Sequence, residues 1–181
     1  TDKNGATASL GPTYFLVDTT NPSLTVDSPS AGTKVKTGTL VISGTASDSG
    51  GLGTSPLSIT LRHSNTGSPL HNTTYSPAIV GGSFTQNVPI DSSSLDGTLY
   101  IDFVLTDLAG RQTTVTRTVI IDTTPPVLNL TNPSPGAYIN GLVSVVGTAD
   151  DMNGLADVTM EILDPANLNL VKASINRAGS T

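Results

Sequence analysis

Aspartate is the residue in this sequence best suited to chemistry. It accounts for 13 of the 14 acidic residues, the exception being Glu161. Ca²⁺ takes about six to eight oxygen ligands, and carboxylates are among those it prefers. Aspartate also shapes turns by bonding to its own backbone neighbours, so both interpretations stay open. The candidate metal ligands, chosen because they lie in linkers and loops expected to meet at the joints between repeats, are Asp18, Asp48, Asp107, Asp122, Asp150 and Asp151.

The sequence offers no catalytic constellation. It contains no cysteine, which excludes a disulfide scaffold, a cysteine–zinc site and a thiol nucleophile. His63 and His71 are its two histidines, and without further nitrogen or sulfur ligands nearby they are predicted to be loop residues rather than a metal site. No serine-nucleophile elbow, zinc-protease helix motif or phosphate-binding glycine loop is present. We therefore expect that the protein is not an enzyme.

Charge and hydropathy narrow the possible partners. The formal net charge is −6, which argues against nucleic acid and anionic membrane surfaces because both need basic patches. No apolar run reaches about 18 residues, so direct membrane insertion is not expected. An acidic, cysteine-free chain rich in Thr and Ser fits an extracellular location, on or outside a bacterial cell. An export signal is then expected outside this sequence.

Polar–apolar alternation predicts short strands rather than helices. About seven strands within about 100 residues, separated by turn residues, indicate an antiparallel β-sandwich. Pro89 places its strand at a sheet edge, and residues 62–82 are predicted to form loops and one weak edge strand. The predicted inward-facing residues are Leu24, Val26, Leu40, Ile42, Gly44, Ala46, Leu57, Ile59, Leu61, Phe84, Val88, Ile90, Leu99, Ile101, Phe103, Leu105, Val115, Val119 and Ile121.

The sequence repeats itself internally. Residues 17–22 match residues 121–126 at an offset of 104, with Asp-Thr-Thr in common. The match continues through Leu24 to Val26 against Leu128 to Leu130. After one deletion, residues 43–48 match residues 146–151. This organisation predicts the last strand of a preceding repeat in residues 1–17, a complete repeat in 18–124, and the first half of a following repeat in 125–181, with Val158, Met160 and Ile162 facing inward.

The ordered motifs resemble the bacterial immunoglobulin-like repeats of large surface adhesins and other secreted multidomain proteins. They are Asp-Thr-Thr-x-Pro, Ser-Pro-x-x-Gly, Gly-Thr-Ala-x-Asp and Thr-Asp-x-Ala-Gly, and they cover the chain except for residues 62–82. The resemblance implies an all-β fold of immunoglobulin-like antiparallel β-sandwich repeats in tandem. It also implies stalk units, some of which bind Ca²⁺ at their joints.

In an immunoglobulin-like sandwich, the first strand enters at the same end as two of the loops between later strands. Three aspartates are therefore expected to converge, namely Asp18 before that strand, Asp48 in one loop and Asp107 in the other. Carboxylates held close together repel one another, and a bound cation would relieve the repulsion. Asp122, Asp150 and Asp151 are the matching candidates at the second joint, without a counterpart of Asp107 in the sequence.

The sequence is thus interpreted as a non-catalytic stalk or spacer of a cell-surface or secreted bacterial adhesin, with Ca²⁺ as the expected cofactor. Its expected partners are neighbouring repeats of the same chain and a cell-surface or glycan target. One alternative is a subunit of an extracellular fibre, in which copies of the chain exchange strands. Another is an accessory glycan-binding module of a secreted enzyme, which would need exposed aromatic side chains.

Overall fold

The computed structural model describes residues 3–7, 11, 14–164 and 167–178, with side chains up to residue 162. In this part of the chain the fold is all-β, confirming the predicted class, and no helix in it is long and apolar enough to cross a membrane. The chain divides into two compact units, Thr1–Ile121 and Asp122–Thr181. The strands of the first unit are β1 (Ser23–Ser28), β2 (Thr33–Val35), β3 (Gly38–Ser47), β4 (Leu52–His63), β5 (Thr73–Tyr75), β6 (Ser83–Ile90), β7 (Gly97–Asp107) and β8 (Gln112–Ile121), with one 3₁₀ turn at Ser92–Ser94.

The first unit contains two sheets. One has three antiparallel strands in the order β1-β3-β6, and the other has five in the order β2-β8-β7-β4-β5. Within the second sheet, β2 runs parallel to β8 and the remaining pairs are antiparallel. The edge position of β6 agrees with Pro89, which cannot donate a backbone hydrogen bond.

Alternating side chains of both sheets fill one hydrophobic core, an arrangement consistent with a β-sandwich. Ile42 in the three-stranded sheet is fully buried, as are Ile59 and Ile101 in the five-stranded sheet. Phe84 and Phe103 connect the two sheets, with ring centroids 6.2 Å apart. Each such residue contributes about 1.5–3 kcal/mol by leaving water, which makes the core the main source of stability. Of the predicted inward-facing positions, Leu24 and Val115 are only partly buried.

The weak edge strand predicted within residues 62–82 is confirmed as β5, at the edge of the five-stranded sheet, but part of the predicted loop is buried. His63, expected in a loop, is the last residue of β4 and is 2% exposed, and Ser68 and Leu70 are buried too. This polar segment can pack inward because its polar atoms find partners. The Ser68 hydroxyl donates to the carbonyl oxygen of Ser94 at 2.6 Å, and His63 Nδ1 accepts from the backbone of Asn65 at 3.0 Å.

The second unit consists of two antiparallel strand pairs. They are formed by β9 (Val127–Asn132) with β10 (Val146–Asp150) and by β11 (Asp157–Asp164) with β12 (Asn167–Ala178). Val158 and Met160 are half-buried, but Ile162, expected to face inward, is 45% exposed. Leu128 and Leu130 are 72% and 54% exposed.

The first strand pair of each unit has the same register. Val26 pairs with Gly44 before a bulge, and Leu130 pairs with Gly147 before a bulge at the equivalent place. A Cβ atom added to Gly44 would lie 2.1 Å from the carbonyl oxygen of Thr25, and one added to Gly147 would lie 2.5 Å from that of Asn129. Both glycines are therefore required by the close approach of the partner strand. The bonds Ser28-Pro29 and Asn132-Pro133 are both cis.

Residues 14–17 carry no regular secondary structure, and their four side chains are exposed. The assignment of residues 1–17 to a preceding repeat, and the boundaries predicted for the two later repeats, stay predictions.

Candidate cation site

Three of the predicted ligands meet at one end of the first unit. Asp18 precedes β1, Asp48 directly follows β3, and Asp107 ends β7. One carboxylate oxygen of each lies within 4.8 Å of the others. Asp18 and Asp48 are half-buried, whereas Asp107 is only 6% exposed. We call these three residues the aspartate cluster.

Each member of the cluster is anchored by hydrogen bonds within its own loop. Asp48 Oδ2 accepts from the backbone N–H groups of Gly50 and Gly51, at 2.7 and 3.0 Å. Asp107 Oδ1 accepts from Arg111 N at 2.8 Å. Asp18 Oδ1 accepts from the backbone N–H of Thr20 at 3.0 Å and from its hydroxyl at 2.8 Å. The turn-forming role considered for these aspartates is therefore present in the structure.

Turn formation uses only one oxygen of Asp18 and one of Asp107. The second oxygen of each, Oδ2 in both cases, is buried and has no hydrogen-bond partner. A buried acceptor without a partner costs about 1–3 kcal/mol, and more when it is charged. Two such oxygens beside a third carboxylate provide a donor set suited to a hard cation such as Ca²⁺.

Gly50 makes room for the carboxylate of Asp18. A Cβ atom added to this glycine would lie 2.1 Å from Asp18 Oδ2 and 2.8 Å from its Cγ. Any side chain here would therefore displace Asp18.

The segment Asp18–Pro22, which we call the linker, is docked on the first unit by contacts with two loops and strand β8. Arg111 Nε donates to the carbonyl oxygen of Asp18, and Arg111 Nη1 donates to Asn21 Oδ1, both at 3.3 Å. The Thr113 hydroxyl donates to the carbonyl oxygen of Pro22 at 2.5 Å, and Pro22 is buried. The hydroxyls of Thr20 and Ser49 lie 3.1 Å apart. These contacts hold Asp18 beside the other two carboxylates.

The electrostatics of Asp18 favour its charged form. The backbone N–H of Thr20 lowers the pKa of Asp18 most, followed by the Thr20 hydroxyl. Burial raises it in opposition, while Asp48 and the positive charge of Arg111 add smaller lowering effects. Asp18 therefore stays ionised at neutral pH, as a cation ligand must.

The structure does not bring the second set of predicted ligands together. Among the described residues, Asp122, Asp150 and Asp151 form no group comparable with the aspartate cluster. Asp151 Oδ1 accepts from Asn153 N at 2.8 Å, a turn like that of Asp48, and Asp122 Oδ1 is buried without a partner. By register Asp150 corresponds to Ser47.

Sequence reasoning missed the residues that support the cluster. Thr20, Gly50 and Arg111 hold or admit Asp18. The contact of Thr20 is local, but Gly50 and Arg111 come from other segments, and Arg111 lies 93 positions from Asp18. The weak signal that could have pointed to Arg111 is its position four residues after Asp107, in the turn that this aspartate forms.

No family model and no curated protein matches the chain. Among solved structures it is similar to the crystal structure of an engineered protein, with 17% sequence identity over 56% of this chain and a TM-score of 0.42. The match covers 20% of that protein, so this chain aligns with about a fifth of its length. A likeness at this level is not evidence about topology or function.

Proposed function

We propose that the chain is a non-catalytic stalk segment of a secreted or surface-anchored bacterial adhesin, built from tandem immunoglobulin-like repeats whose joints are stiffened by Ca²⁺. The observation that carries this proposal is the aspartate cluster, in which the docked linker brings Asp18 to two loops of the sandwich. A joint fixed in this way limits bending, and a mechanical spacer depends on that property.

The strand order supports an immunoglobulin-like topology. With strands lettered from A to G in chain order, such a sandwich pairs A-B-E in one sheet and G-F-C in the other. In the first unit, β1-β3-β6 corresponds to the former and β8-β7-β4 to the latter. The short β2 extends the second sheet beside β8, and β5 extends it beside β4.

The shared register of the two first strand pairs supports a tandem array. The same bulge and the same backbone-contacting glycine occur in both units, at positions that the sequence repeat equates. Ser28 Oγ donates to the carbonyl oxygen of Val41, and Asn132 Nδ2 donates to the equivalent carbonyl of Ser144. This agreement in detail supports a common repeat and, with the ordered motifs, the resemblance to bacterial immunoglobulin-like repeats.

A glycan-binding module stays an alternative, because Tyr14, Phe15 and Tyr138 are 86%, 85% and 105% exposed. Two other tyrosines are less accessible. The guanidinium of Arg62 lies over the ring of Tyr100, 5.2 Å from its centroid, and Tyr75 packs against the core. Arg62 therefore covers one face of Tyr100, which is 37% exposed, and Tyr75 is only partly exposed.

A fibre subunit is a second candidate, favoured by the exposed apolar side chains of Leu128 and Leu130 in the second unit. Strands donated by another copy would cover this face. Light scattering after size exclusion tests the idea: concentration-dependent assembly would support it, and a monomer at all concentrations would refute it.

The cation proposal is tested by melting the wild type and two variants in EDTA and in 10 mM Ca²⁺. With a dissociation constant of about 0.1–1 mM, typical of extracellular sites, 10 mM Ca²⁺ should stabilise the wild type by about 1.4–2.7 kcal/mol. Asp107→Asn should lose this gain and yet be no less stable than wild type in EDTA, because it relieves carboxylate repulsion. Asp27→Asn, an exposed aspartate outside the cluster, is the matched control and should respond like wild type.

Mg²⁺ at equal concentration controls for ionic strength. Equal melting temperatures in Ca²⁺ and Mg²⁺, or a Ca²⁺ response retained by Asp107→Asn, would contradict the proposed site.

A further inference from the structure

Arg111 joins two parts of the candidate site through different atoms. Its backbone N–H donates to Asp107 Oδ1, while its side chain donates to the carbonyl oxygen of Asp18 and to the side chain of Asn21. One residue therefore orients one carboxylate of the cluster and also holds the segment that supplies another.

The linker needs such a contact most when no cation is bound. Three carboxylates whose oxygens lie within 4.8 Å repel one another, and Asp18, on the segment before β1, is the member that could move away. A guanidinium bonded to the linker offsets this repulsion with its charge. It also binds two acceptors at once, which a lysine ammonium does less well because it lacks the planar fork.

We propose that Arg111 is a positioning residue that keeps the linker docked in the absence of a cation, so that the site is already assembled when Ca²⁺ arrives. The part of this inference that concerns Ca²⁺ rests on the proposed function. The docking of the linker by Arg111 does not, because it concerns the cation-free protein.

The test is amide hydrogen exchange at Thr20, measured by NMR in EDTA on the full chain. This N–H donates to Asp18 Oδ1 and is protected only while the linker keeps its structure. In Arg111→Gln it should exchange at least about tenfold faster than in the wild type, since two charge-assisted hydrogen bonds are lost. Thr20 exchange in Arg111→Lys should be intermediate between the rates in the wild type and in Arg111→Gln, because lysine keeps the charge but not the paired contacts.

The matched control is Arg117→Gln. Arg117 lies on β8, the strand that begins directly after Arg111, and donates to the carbonyl oxygen of Val26 at 3.4 Å. The substitution therefore removes a comparable bond to β1 outside the cluster. Its Thr20 exchange should stay at the wild-type rate. If both variants melt in EDTA at the same temperature as the wild type, global unfolding is excluded as the cause of faster exchange at Thr20.

A second measurement connects Arg111 with its partner. If Arg111 acts partly through Asn21, Asn21→Ala should speed exchange at Thr20 in the wild type but add little in the Arg111→Gln background. Fully additive effects of the two changes would contradict this coupling.

The outcomes separate the two proposals. Protection of Thr20 in Arg111→Gln equal to wild type in EDTA would overturn the role of Arg111. Protection restored wholly by Arg111→Lys would overturn the hydrogen-bonding explanation in favour of charge alone. Fast exchange in Arg111→Gln that slows on addition of Ca²⁺ supports both proposals. Fast exchange that Ca²⁺ leaves unchanged supports the role of Arg111 and contradicts the cation site.

Discussion

Replacing Gly50 by alanine should weaken Ca²⁺ binding while leaving the fold intact. The added Cβ atom would lie 2.1 Å from Asp18 Oδ2, whereas ordinary contact begins at 3.4 Å, so this oxygen must retreat by at least 1.3 Å (3.4 − 2.1). Ca²⁺–oxygen distances span only about 2.3–2.6 Å, so a shift of this size removes the oxygen from the coordination shell. Changes in residues that support metal ligands typically weaken binding about 10- to 100-fold, and we expect a loss in this range.

The stability of the cation-free protein should not fall. Gly50 is exposed and does not have a positive φ, so alanine fits its backbone and reduces the freedom of the unfolded chain. Gly53→Ala is the matched control, since the nearest atom to its added Cβ would be Leu108 Cδ2, at an ordinary 3.8 Å.

Isothermal titration with Ca²⁺ measures the dissociation constant, and thermal melts in EDTA measure the stability of the cation-free protein. Gly53→Ala should match wild type in both. A dissociation constant for Gly50→Ala within about threefold of wild type, or about 0.6 kcal/mol, would refute the reasoning. A melting temperature in EDTA well below that of wild type would show instead that Gly50 is needed for folding.

Two further predictions concern the fold. Gly44→Ala should cost about 3 kcal/mol in denaturant unfolding, because its Cβ would meet the backbone of Thr25 and the ring of Phe84; a loss below about 1 kcal/mol would contradict the required close approach. Asp102→Asn should cost less than about 1 kcal/mol at pH 7, since its partner Arg62 is half-exposed. The hydrogen bond from Arg62 lowers the pKa of Asp102, so this contribution is complete above the unfolded value of 3.8 and is lost as the pH falls below it. The free energy of unfolding of wild type and Asp102→Asn is measured as the pH is lowered. A difference between them that stays constant down to about pH 2.5 would disprove this assignment.

The core of the first unit was predictable because it depends on local alternation. A strand with one buried face must place its apolar residues at every second position, so Leu99, Ile101, Phe103 and Leu105 identified β7 without knowledge of its neighbours. The buried positions of His63 and Ser68 were not predictable in this way. Polar side chains are buried only when partners such as the carbonyl of Ser94 stand opposite them, and those partners come from distant segments.

The short strand β2 was missed for a related reason. Its three residues carry too little pattern to identify a strand, and its pairing partner is β8, more than 80 residues later. Only the assembled sheet provides the hydrogen bonds that make Thr33–Val35 a strand.

The sequence by itself determined the all-β class, the alternating core and the aspartates that could bind a cation, because composition and periodicity are properties of neighbouring residues. Tertiary structure alone decided which aspartates meet. Asp18, Asp48 and Asp107 converge because the ends of three segments share one end of the sandwich, while Asp122, Asp150 and Asp151 form no such cluster among the described residues. Tertiary structure also left Oδ2 of both Asp18 and Asp107 buried without a partner, since turn bonds occupy only the other oxygen of each.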